Sequence, residues 1–166
     1  DIVTESNLAT QQTYRRDLGR NKVDVIAERL RDINPPVAIR TIKARLEEIG
    51  DETMDRLLRS PLLTGSPVPL QTLLCGLTDS FAAQARVNRL ALHFGVSSLC
   101  AQVYREGRGA EVTFTHPEIT PACHRCALSG RYKAHAKAEN EAVGSTGTPI
   151  FATIRLNALK GFITLA

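Results

Sequence analysis

The sequence predicts an α/β fold, in which strands and helices alternate along one chain. Residues 22–33 carry apolar side chains three and four positions apart, which is the spacing of a helix with one apolar face. Residues 71–77 form a short, nearly continuous apolar run, typical of a strand buried on both faces of a parallel sheet. A helix is predicted over 80–93 and a second strand over 96–104, so the elements alternate as in a sheet flanked by helices.

The remaining elements follow from turn residues and helix signals. Proline disfavours the α region in the residue before it, so Asn34-Pro35-Pro36 ends the first helix. Glycines at 107 and 109 indicate a hairpin between the strand at 96–104 and another at 111–114. The other expectations are a helix over 51–60, a proline-rich loop over 61–69, an irregular crossover over 116–147 and a helix over 149–166.

Length and composition indicate one ordinary folded domain over residues 1–166. The chain has 166 residues, of which 43% are hydrophobic and 23% charged, and this is enough to bury a single core. The sequence holds no apolar run of the roughly 18 residues that a membrane span needs, and residues 1–5 do not resemble a secretion signal. We therefore expect no membrane segment and a cytoplasmic location.

The net charge of +4 does not by itself indicate a nucleic-acid partner. Aromatic residues make up 5% of the chain, tryptophan is absent, and lysines and arginines are scattered among acids. Neither a stacking platform for bases nor a continuous basic block is present. We expect no nucleic-acid binding.

Three motifs carry the residues that are most suited to chemistry. They are Ser6-Asn7-Leu8 near the start, Thr78-Asp79 after the apolar run, and the Cys123-His-Arg-Cys126 pair. In open α/β sheets ligands bind beyond the carboxyl ends of the strands, where Asp79 is predicted to lie. A carboxylate there can hold Mg²⁺ against a triphosphate. The alternative is that Asp79 caps the helix beginning at Ser80.

The order and separation of these motifs, with Asn34-Pro35 in register, resembles the ThiF/MoeB/HesA family, the bacterial relatives of ubiquitin-activating enzymes. The resemblance implies a Rossmann-like, mostly parallel sheet flanked by helices, whose first strand and glycine-rich turn would precede Asp1. It also implies ATP-dependent adenylation of the C-terminal carboxylate of a small ubiquitin-like or sulfur-carrier protein. The implied cofactors are ATP and Mg²⁺, and the implied assembly is a homodimer.

The resemblance also assigns roles to individual residues. It implies that Asp79 is the catalytic acid that binds Mg²⁺ and ATP, that Asn7 contacts the nucleotide, and that Lys22 reaches the phosphates. Gln11 ends the longer match Ser6-Asn-Leu-Ala-Thr-Gln11, and the resemblance assigns it to the nucleotide site. The simpler alternatives are that Asn7 holds its own turn and that Lys22 is a solvated residue at the start of a helix.

Two positions depart from the family pattern. Thr10 and Gln84 each stand where relatives carry an arginine, and neither side chain supplies a positive charge. Arg15 and Arg16 are close to Thr10 in sequence, and we hypothesise that they compensate for it. These departures leave open a non-catalytic ThiF-like scaffold or partner subunit, as does the absence from 133–147 of a cysteine that could accept the activated protein. A dinucleotide-binding protein is a further alternative, because it shares the fold class.

The cysteines divide into two kinds. Cys123 and Cys126 stand where many relatives carry half of a structural zinc site, and His124 and His135 are further possible ligands. Zinc takes four ligands, so a reduced structural pair and a redox pair are the alternatives. The other two cysteines, Cys75 and Cys100, lie in apolar strand runs and are predicted to be small buried residues.

Overall fold

The computed structural model describes residues 1–59, 71–104, 107–137, 148 and 150–165. The chain forms two compact units, residues 1–70 and residues 71–166. The predicted loop at 61–69 and residues 138–147 of the predicted crossover lie outside the described residues. The single-domain organisation over 1–166 stays a prediction.

The first unit is built around a pairing between the start of the chain and the turn that precedes a long helix. The Val3 amide donates to the Arg20 carbonyl at 2.9 Å, and the Lys22 amide donates to the Asp1 carbonyl at 3.0 Å. Gly19 turns the chain with φ of 78°, a backbone region that glycine adopts without strain. The helices of this unit are α1 (Glu5–Thr10), α2 (Lys22–Ile33) and α3 (Asp51–Arg59), with 3₁₀ turns at Arg15–Asp17 and Leu46–Glu48.

Helix α2 has the predicted bounds. The face that it buries, however, is not the face that carries most of its large apolar side chains. It ends at Ile33, directly before the Asn-Pro-Pro segment, as predicted. Val25 and Ala27 are its buried residues, whereas Ile26 is 52% exposed and Ile33 is 73% exposed. Apolar spacing shows which residues share a face, but the elements that pack against the helix decide which face is buried.

The second unit contains a mixed sheet of three described strands in the order β1-β2-β3. Strands β1 and β2 are parallel, with Leu73 opposite Ser97, and β2 and β3 are antiparallel, with Ser98 opposite Thr115. These strands and their flanking helices confirm the predicted α/β class. The elements are β1 (Leu73–Gly76), α4 (Phe81–Phe94), β2 (Ser97–Tyr104), β3 (Gly109–Thr115), α5 (His124–Ala127), α6 (Ser129–Ala136) and α7 (Ile150–Leu165).

Strand β2 is the centre of this unit. Its five consecutive residues from Ser98 to Gln102 are buried, and because side chains alternate along a strand, both of its faces are covered. Helix α4 packs against β1 and β2, and α7 packs against β2 and β3. Cys100 is buried as predicted, and burial raises the pKa of its thiol to about 11. Cys75 is exposed, contrary to the prediction, because β1 lies at the edge of the described sheet.

The helices of this unit begin and end at residues suited to those positions. Ser80 caps α4 by accepting a hydrogen bond from the Ala83 amide, and Gly95 ends α4 in the left-handed conformation with φ of 65°. The predicted irregular crossover is wrong over 124–136, where α5 and α6 form. The short α6 is polar and carries little apolar periodicity, so the sequence pattern did not reveal it.

Helix α7 confirms the predicted C-terminal helix. Leu156 is buried against the sheet, whereas Phe151 and Phe162 are exposed on the described surface. None of the described helices combines the length and the apolar character that crossing a bilayer requires.

Close packing between β1, β2 and α4 makes Gly76 sensitive to substitution. A Cβ at this position would lie 2.9 Å from the Cys100 Sγ and 3.4 Å from the Val87 Cγ2. We expect Gly76→Ala to lower the free energy of unfolding by about 1–3 kcal/mol, measured by urea denaturation. Adding Cys100→Ala should recover part of this loss, because it removes the crowded sulfur.

The matched control for this prediction is Gly130→Ala. Its added Cβ would meet nothing within 4 Å, and alanine favours a helix over glycine. A Gly76→Ala protein as stable as the wild type would contradict the close approach.

Candidate functional site

The residues singled out from the sequence fall into two groups, one in each unit. The nucleotide-site residues Asn7, Gln11, Arg15 and Lys22 lie in the first unit, and Asp79, Cys123 and Cys126 lie in the second. Asn7 and Gln11 are brought together by the last turn of α1, where the Gln11 amide donates to the Asn7 carbonyl at 2.8 Å.

Asn7 holds the start of α1 through one end of its side-chain amide. Its Oδ1 accepts hydrogen bonds from the Thr4 amide at 2.9 Å and from the Thr4 hydroxyl at 3.1 Å. The residue is 9% exposed. Two donors on one oxygen set the orientation of the amide, so Asn7 presents Nδ2 as its remaining donor group. The local turn role and a ligand-binding role are therefore compatible.

Lys22 is the first residue of α2 and lies beside the start of the chain. Its Nζ is 3.7 Å from the Asp1 carboxylate, and its side chain is 24% exposed. The turn before it is held by Asp17, which is buried and accepts a hydrogen bond from the Tyr14 amide at 2.8 Å. Arg20 and Arg29 each lie 3.7 Å from this carboxylate. Asp17, together with Gly19 two residues later, therefore builds the turn that positions Lys22.

The surface between α1 and this turn carries the remaining candidates of the first unit. The Thr10 hydroxyl donates to the Ser6 carbonyl at 2.9 Å, which ties it to its own helix. Gln11, Arg15 and Arg16 are exposed. The guanidinium of Arg16 stacks over the Tyr14 ring at 5.0 Å from its centroid. Arg15 and Arg16 are thus exposed positive charges, and their compensation for Thr10 stays a hypothesis.

Asp79 lies three residues after the end of β1 and is exposed. Ser80, not Asp79, supplies the cap of α4, since its Oγ accepts from the Ala83 amide at 3.2 Å. The Thr78 hydroxyl lies 3.5 Å from the Asp79 Oδ1 and accepts a hydrogen bond from the Ser80 amide at 3.1 Å. The capping alternative for Asp79 is therefore wrong, and its carboxylate faces solvent at the end of the strand.

Gln84, the second departure from the family pattern, points into the protein interior. It is 1% exposed, and its Nε2 donates to the Thr78 carbonyl at 2.5 Å. The same nitrogen lies 3.4 Å from the Gln102 Oε1. The sequence singled out Gln84 as a missing arginine, but gave no sign of these contacts or of Gln102.

Cys123 and Cys126 lie close together at the start of α5. Their sulfurs are 3.7 Å apart, with Cys123 half-buried and Cys126 exposed. Burial opposes ionisation of Cys123, but hydrogen bonds from the backbone and thiol of Cys126, the Arg125 backbone and the Asn88 side chain outweigh it and lower the thiol pKa. Cys123 is thus biased toward the thiolate form.

The cysteine pair fits two positions of a zinc tetrahedron but does not complete one. Two sulfurs each about 2.3 Å from zinc would lie about 3.8 Å apart, close to the observed separation. Within the described ranges, however, no group of three or more histidine, cysteine or acidic residues is placed to hold a metal. His124 and His135 do not join the cysteines: His124 bonds Thr113, and His135 packs edge-on against Phe81.

His124 is a buried polar residue whose role the sequence did not reveal. It is 1% exposed, and its Nδ1 lies 2.7 Å from the Thr113 Oγ1. Its Nε2 has no hydrogen-bond partner in the described part of the chain. Burial, together with the positive charge of Arg131, lowers the pKa of His124 to about 4. The ring is therefore neutral at pH 7.

The lowered pKa predicts a loss of stability at mildly acidic pH. An unfolded histidine titrates near pH 6.5, so between about pH 6.5 and 4 the unfolded chain binds more protons than the folded one. Stability is complete above pH 6.5 and falls as the pH decreases. We expect the wild type to lose about 2 kcal/mol more than His124→Gln between pH 7 and 5, measured by urea unfolding. Parallel profiles for the two proteins would contradict the assignment.

Comparisons with known proteins agree with the motifs and with the fold. The ThiF family model matches residues 1–163. No curated protein is a significant match. Similar solved structures include Escherichia coli MccB with ATP, at 17% identity and a TM-score of 0.66, covering 96% of this chain and 43% of that one.

Two further structures show the same likeness. E. coli MccB with AMPCPP and selenomethionine MccA has 17% identity and a TM-score of 0.67, with 96% of this chain and 43% of that chain covered. Selenomethionine PaaA has 12% identity and a TM-score of 0.63, with 97% and 51% covered. The chain spans about half or less of these relatives, and such identities show the fold alone. Because the family model matches nearly the whole length of this chain, the chain belongs to the ThiF family.

Proposed function

We propose that this chain is part of an adenylyltransferase that uses Mg²⁺ and ATP to activate the C-terminal carboxylate of a small ubiquitin-like or sulfur-carrier protein. Membership of the ThiF family supports the reaction class. The observation that carries the proposal is the position of Asp79. This residue is exposed after the end of β1, and Ser80 caps α4 in its place, so the Asp79 carboxylate is accessible to a ligand. Ligands of open α/β sheets bind at this position.

The proposed reaction joins the partner's carboxylate to AMP. A carboxylate oxygen attacks the α-phosphorus, the bond from that phosphorus to the β-phosphate bridging oxygen breaks, and pyrophosphate leaves with the electron pair. Magnesium bound at Asp79 would offset the negative charge of the phosphates. Lys22, Gln11 and Arg15 would hold the nucleotide and its phosphates, and Asn7 would donate through Nδ2. Catalysis of this kind depends on positioning and on charge stabilisation.

The partner would present a free C-terminal carboxylate, as the proposed chemistry requires. The likeness to MccB, whose structure was solved with MccA, supports a protein or peptide partner in place of a small metabolite. A homodimer and a cytoplasmic location remain predictions from the sequence. Zinc at Cys123 and Cys126 also remains a proposal, since the described residues supply two of the four ligands.

A non-catalytic scaffold is the second candidate, and one observation favours it. Thr10 replaces an arginine that the family places near the phosphates, and its hydroxyl is bound to the Ser6 carbonyl. ATP-pyrophosphate exchange by the full-length protein with candidate ubiquitin-like partners separates the two functions. Exchange supports the enzyme, whereas a lack of both exchange and ATP binding supports the scaffold.

We expect Asp79→Asn to lower ATP-pyrophosphate exchange by on the order of a hundredfold or more, because an amide is a much poorer ligand for Mg²⁺ than a carboxylate. Thermal unfolding should change little, since the Asp79 side chain is exposed. Asp32→Asn, at an exposed acid in α2, is the matched control and should retain full exchange. Equal activity in the two variants would rule out the role of Asp79.

We expect Thr10→Arg to lower the KM for ATP by roughly tenfold, about 1.4 kcal/mol, if the phosphates bind near α1. Thr10 is half-exposed at the end of a helix, and arginine has the higher helix propensity, so the fold should accept the change. Thr10→Gln, similar in length but uncharged, is the control and should leave the KM unchanged. An unchanged KM in Thr10→Arg would contradict this placement of the phosphates.

A further inference from the structure

We propose that Gln84 is a positioning residue for Asp79, and that a buried relay through Gln102 and Arg131 holds Gln84 in place. The catalytic meaning of this inference rests on the proposed function. Its structural content, that the relay orders the turn from Leu77 to Ser80, stands on hydrogen bonds within the second unit.

The first step is the hydrogen bonding of Gln84 to the turn from Leu77 to Ser80. Its side-chain Nε2 donates to the Thr78 carbonyl at 2.5 Å, and its backbone amide donates to the Ser80 carbonyl at 3.1 Å. The backbone bond is the ordinary first hydrogen bond of α4, so the contribution particular to glutamine is its side-chain bond to Thr78, the residue before Asp79. The Thr78 carbonyl shares a planar peptide group with the Asp79 amide, so fixing this oxygen also fixes the plane that leads into Asp79.

The turn itself transmits this restraint to the carboxylate. The Thr78 hydroxyl accepts from the Ser80 amide at 3.1 Å and lies 3.5 Å from the Asp79 Oδ1. Thr78 is therefore held at its carbonyl by Gln84 and at its hydroxyl by Ser80. Asp79 extends from a backbone that is bonded on both sides, while its carboxylate stays exposed to solvent.

The second step is the support of Gln84 from β2 and α6. The Gln102 Oε1 lies 3.4 Å from the Gln84 Nε2 and accepts from the Arg131 Nη2 at 3.1 Å. Arg131 also pairs with Glu111 and lies over the Phe81 ring, 4.6 Å from its centroid. Gln84 and Gln102 are 1% and 7% exposed, so these bonds form away from solvent, where a missing partner is costly.

The donors and acceptors of this relay allow one arrangement. Arginine only donates, so the Gln102 atom facing it is the oxygen. That oxygen and the Thr78 carbonyl are both acceptors, so the Gln84 atom between them is the nitrogen, whose two hydrogens satisfy both. A guanidinium at position 84 would place a buried positive charge close to the half-exposed Arg131. Glutamine here therefore bonds the turn at the Thr78 carbonyl without adding a charge.

The test uses the whole chain and variants that match each other in chemistry. Gln84→Met removes the donors at nearly constant size, and Gln102→Met removes the acceptor that links Gln84 to Arg131. Arg131→Met alters the relay at a half-exposed residue on α6, where loss of the fold is least expected. Gln71→Met, at an exposed glutamine, is the control.

The first readout is hydrogen exchange of the Asp79 and Ser80 amides, which does not need an active enzyme. We expect Gln84→Met to accelerate it roughly three- to tenfold, the effect of losing one net hydrogen bond, while amides within β2 and β3 stay unchanged. Gln102→Met and Arg131→Met should give smaller effects in the same direction. The double variant Gln84→Met/Gln102→Met should resemble Gln84→Met, because Gln102 acts through Gln84.

The second readout is ATP-pyrophosphate exchange as a function of magnesium concentration. We expect Gln84→Met to raise the half-saturating Mg²⁺ concentration roughly three- to tenfold, with the rate at saturating Mg²⁺ kept within about twofold. A merely structural loss would lower the amount of active protein without moving this midpoint.

The outcomes separate this inference from the proposed function. If the wild type shows no ATP chemistry but Gln84→Met still accelerates hydrogen exchange of the turn amides, the relay is supported and the proposed function is refuted. An active wild type with both readouts unchanged in Gln84→Met would overturn the relay and leave the proposed function standing. A uniform acceleration of all amides would also overturn it, because the effect would then be global.

Discussion

The second unit depends on how closely α4 approaches β1 and β2. Gly76 permits this approach, since its position leaves no room for a side chain between the Cys100 sulfur and Val87. With the helix at this distance, Gln84 in the first turn of α4 bonds the Thr78 carbonyl in the turn that follows β1. The Ser80 cap of α4 is local, because its partner is the Ala83 amide of the same helix.

The two departures from the family pattern have different physical meanings. Thr10 is half-exposed on α1 and bonds its own helix, so it supplies no positive charge where the family resemblance leads us to expect an arginine. Gln84 is buried, and its amide satisfies a carbonyl and a side-chain oxygen. The first change alters what a ligand would meet, and the second alters how the protein holds Asp79. Sequence comparison alone treats both as a lost arginine.

The cysteine pair and His124 show how neighbours along the chain can have opposite environments. Cys123 and Cys126 are accessible, and hydrogen bonds lower the pKa of the Cys123 thiol. His124, between them in sequence, turns inward to Thr113, and burial lowers the pKa of its ring to about 4. The histidine therefore anchors α5 to β3, while the cysteines keep their side chains at the surface. The His124 ring cannot both anchor α5 and bind a metal with the cysteines, because its Nδ1 is bonded to Thr113 and its Nε2 is buried.

Local sequence determined most of the described elements and several of their ends, but it did not reveal α5 and α6. Helical spacing and the Asn-Pro-Pro stop defined α2, Gly95 defined the end of α4, and the apolar run defined β1. These features depend on residues within a few positions of each other, so a pattern along the chain contains them. The motifs likewise indicated the ThiF family, and the family model and fold agree.

Tertiary packing alone decided which faces are buried and which polar groups meet. Nothing along α2 indicates that Val25 is covered while Ile33 is exposed, and nothing near Cys75 indicates that its strand lies at the edge of the described sheet. The contact of Gln84 with Gln102 joins residues 18 positions apart, and that of Gln102 with Arg131 spans 29. The sequence by itself determined local structure and family, whereas burial and long-range hydrogen bonds exist only once separate segments are brought together in space.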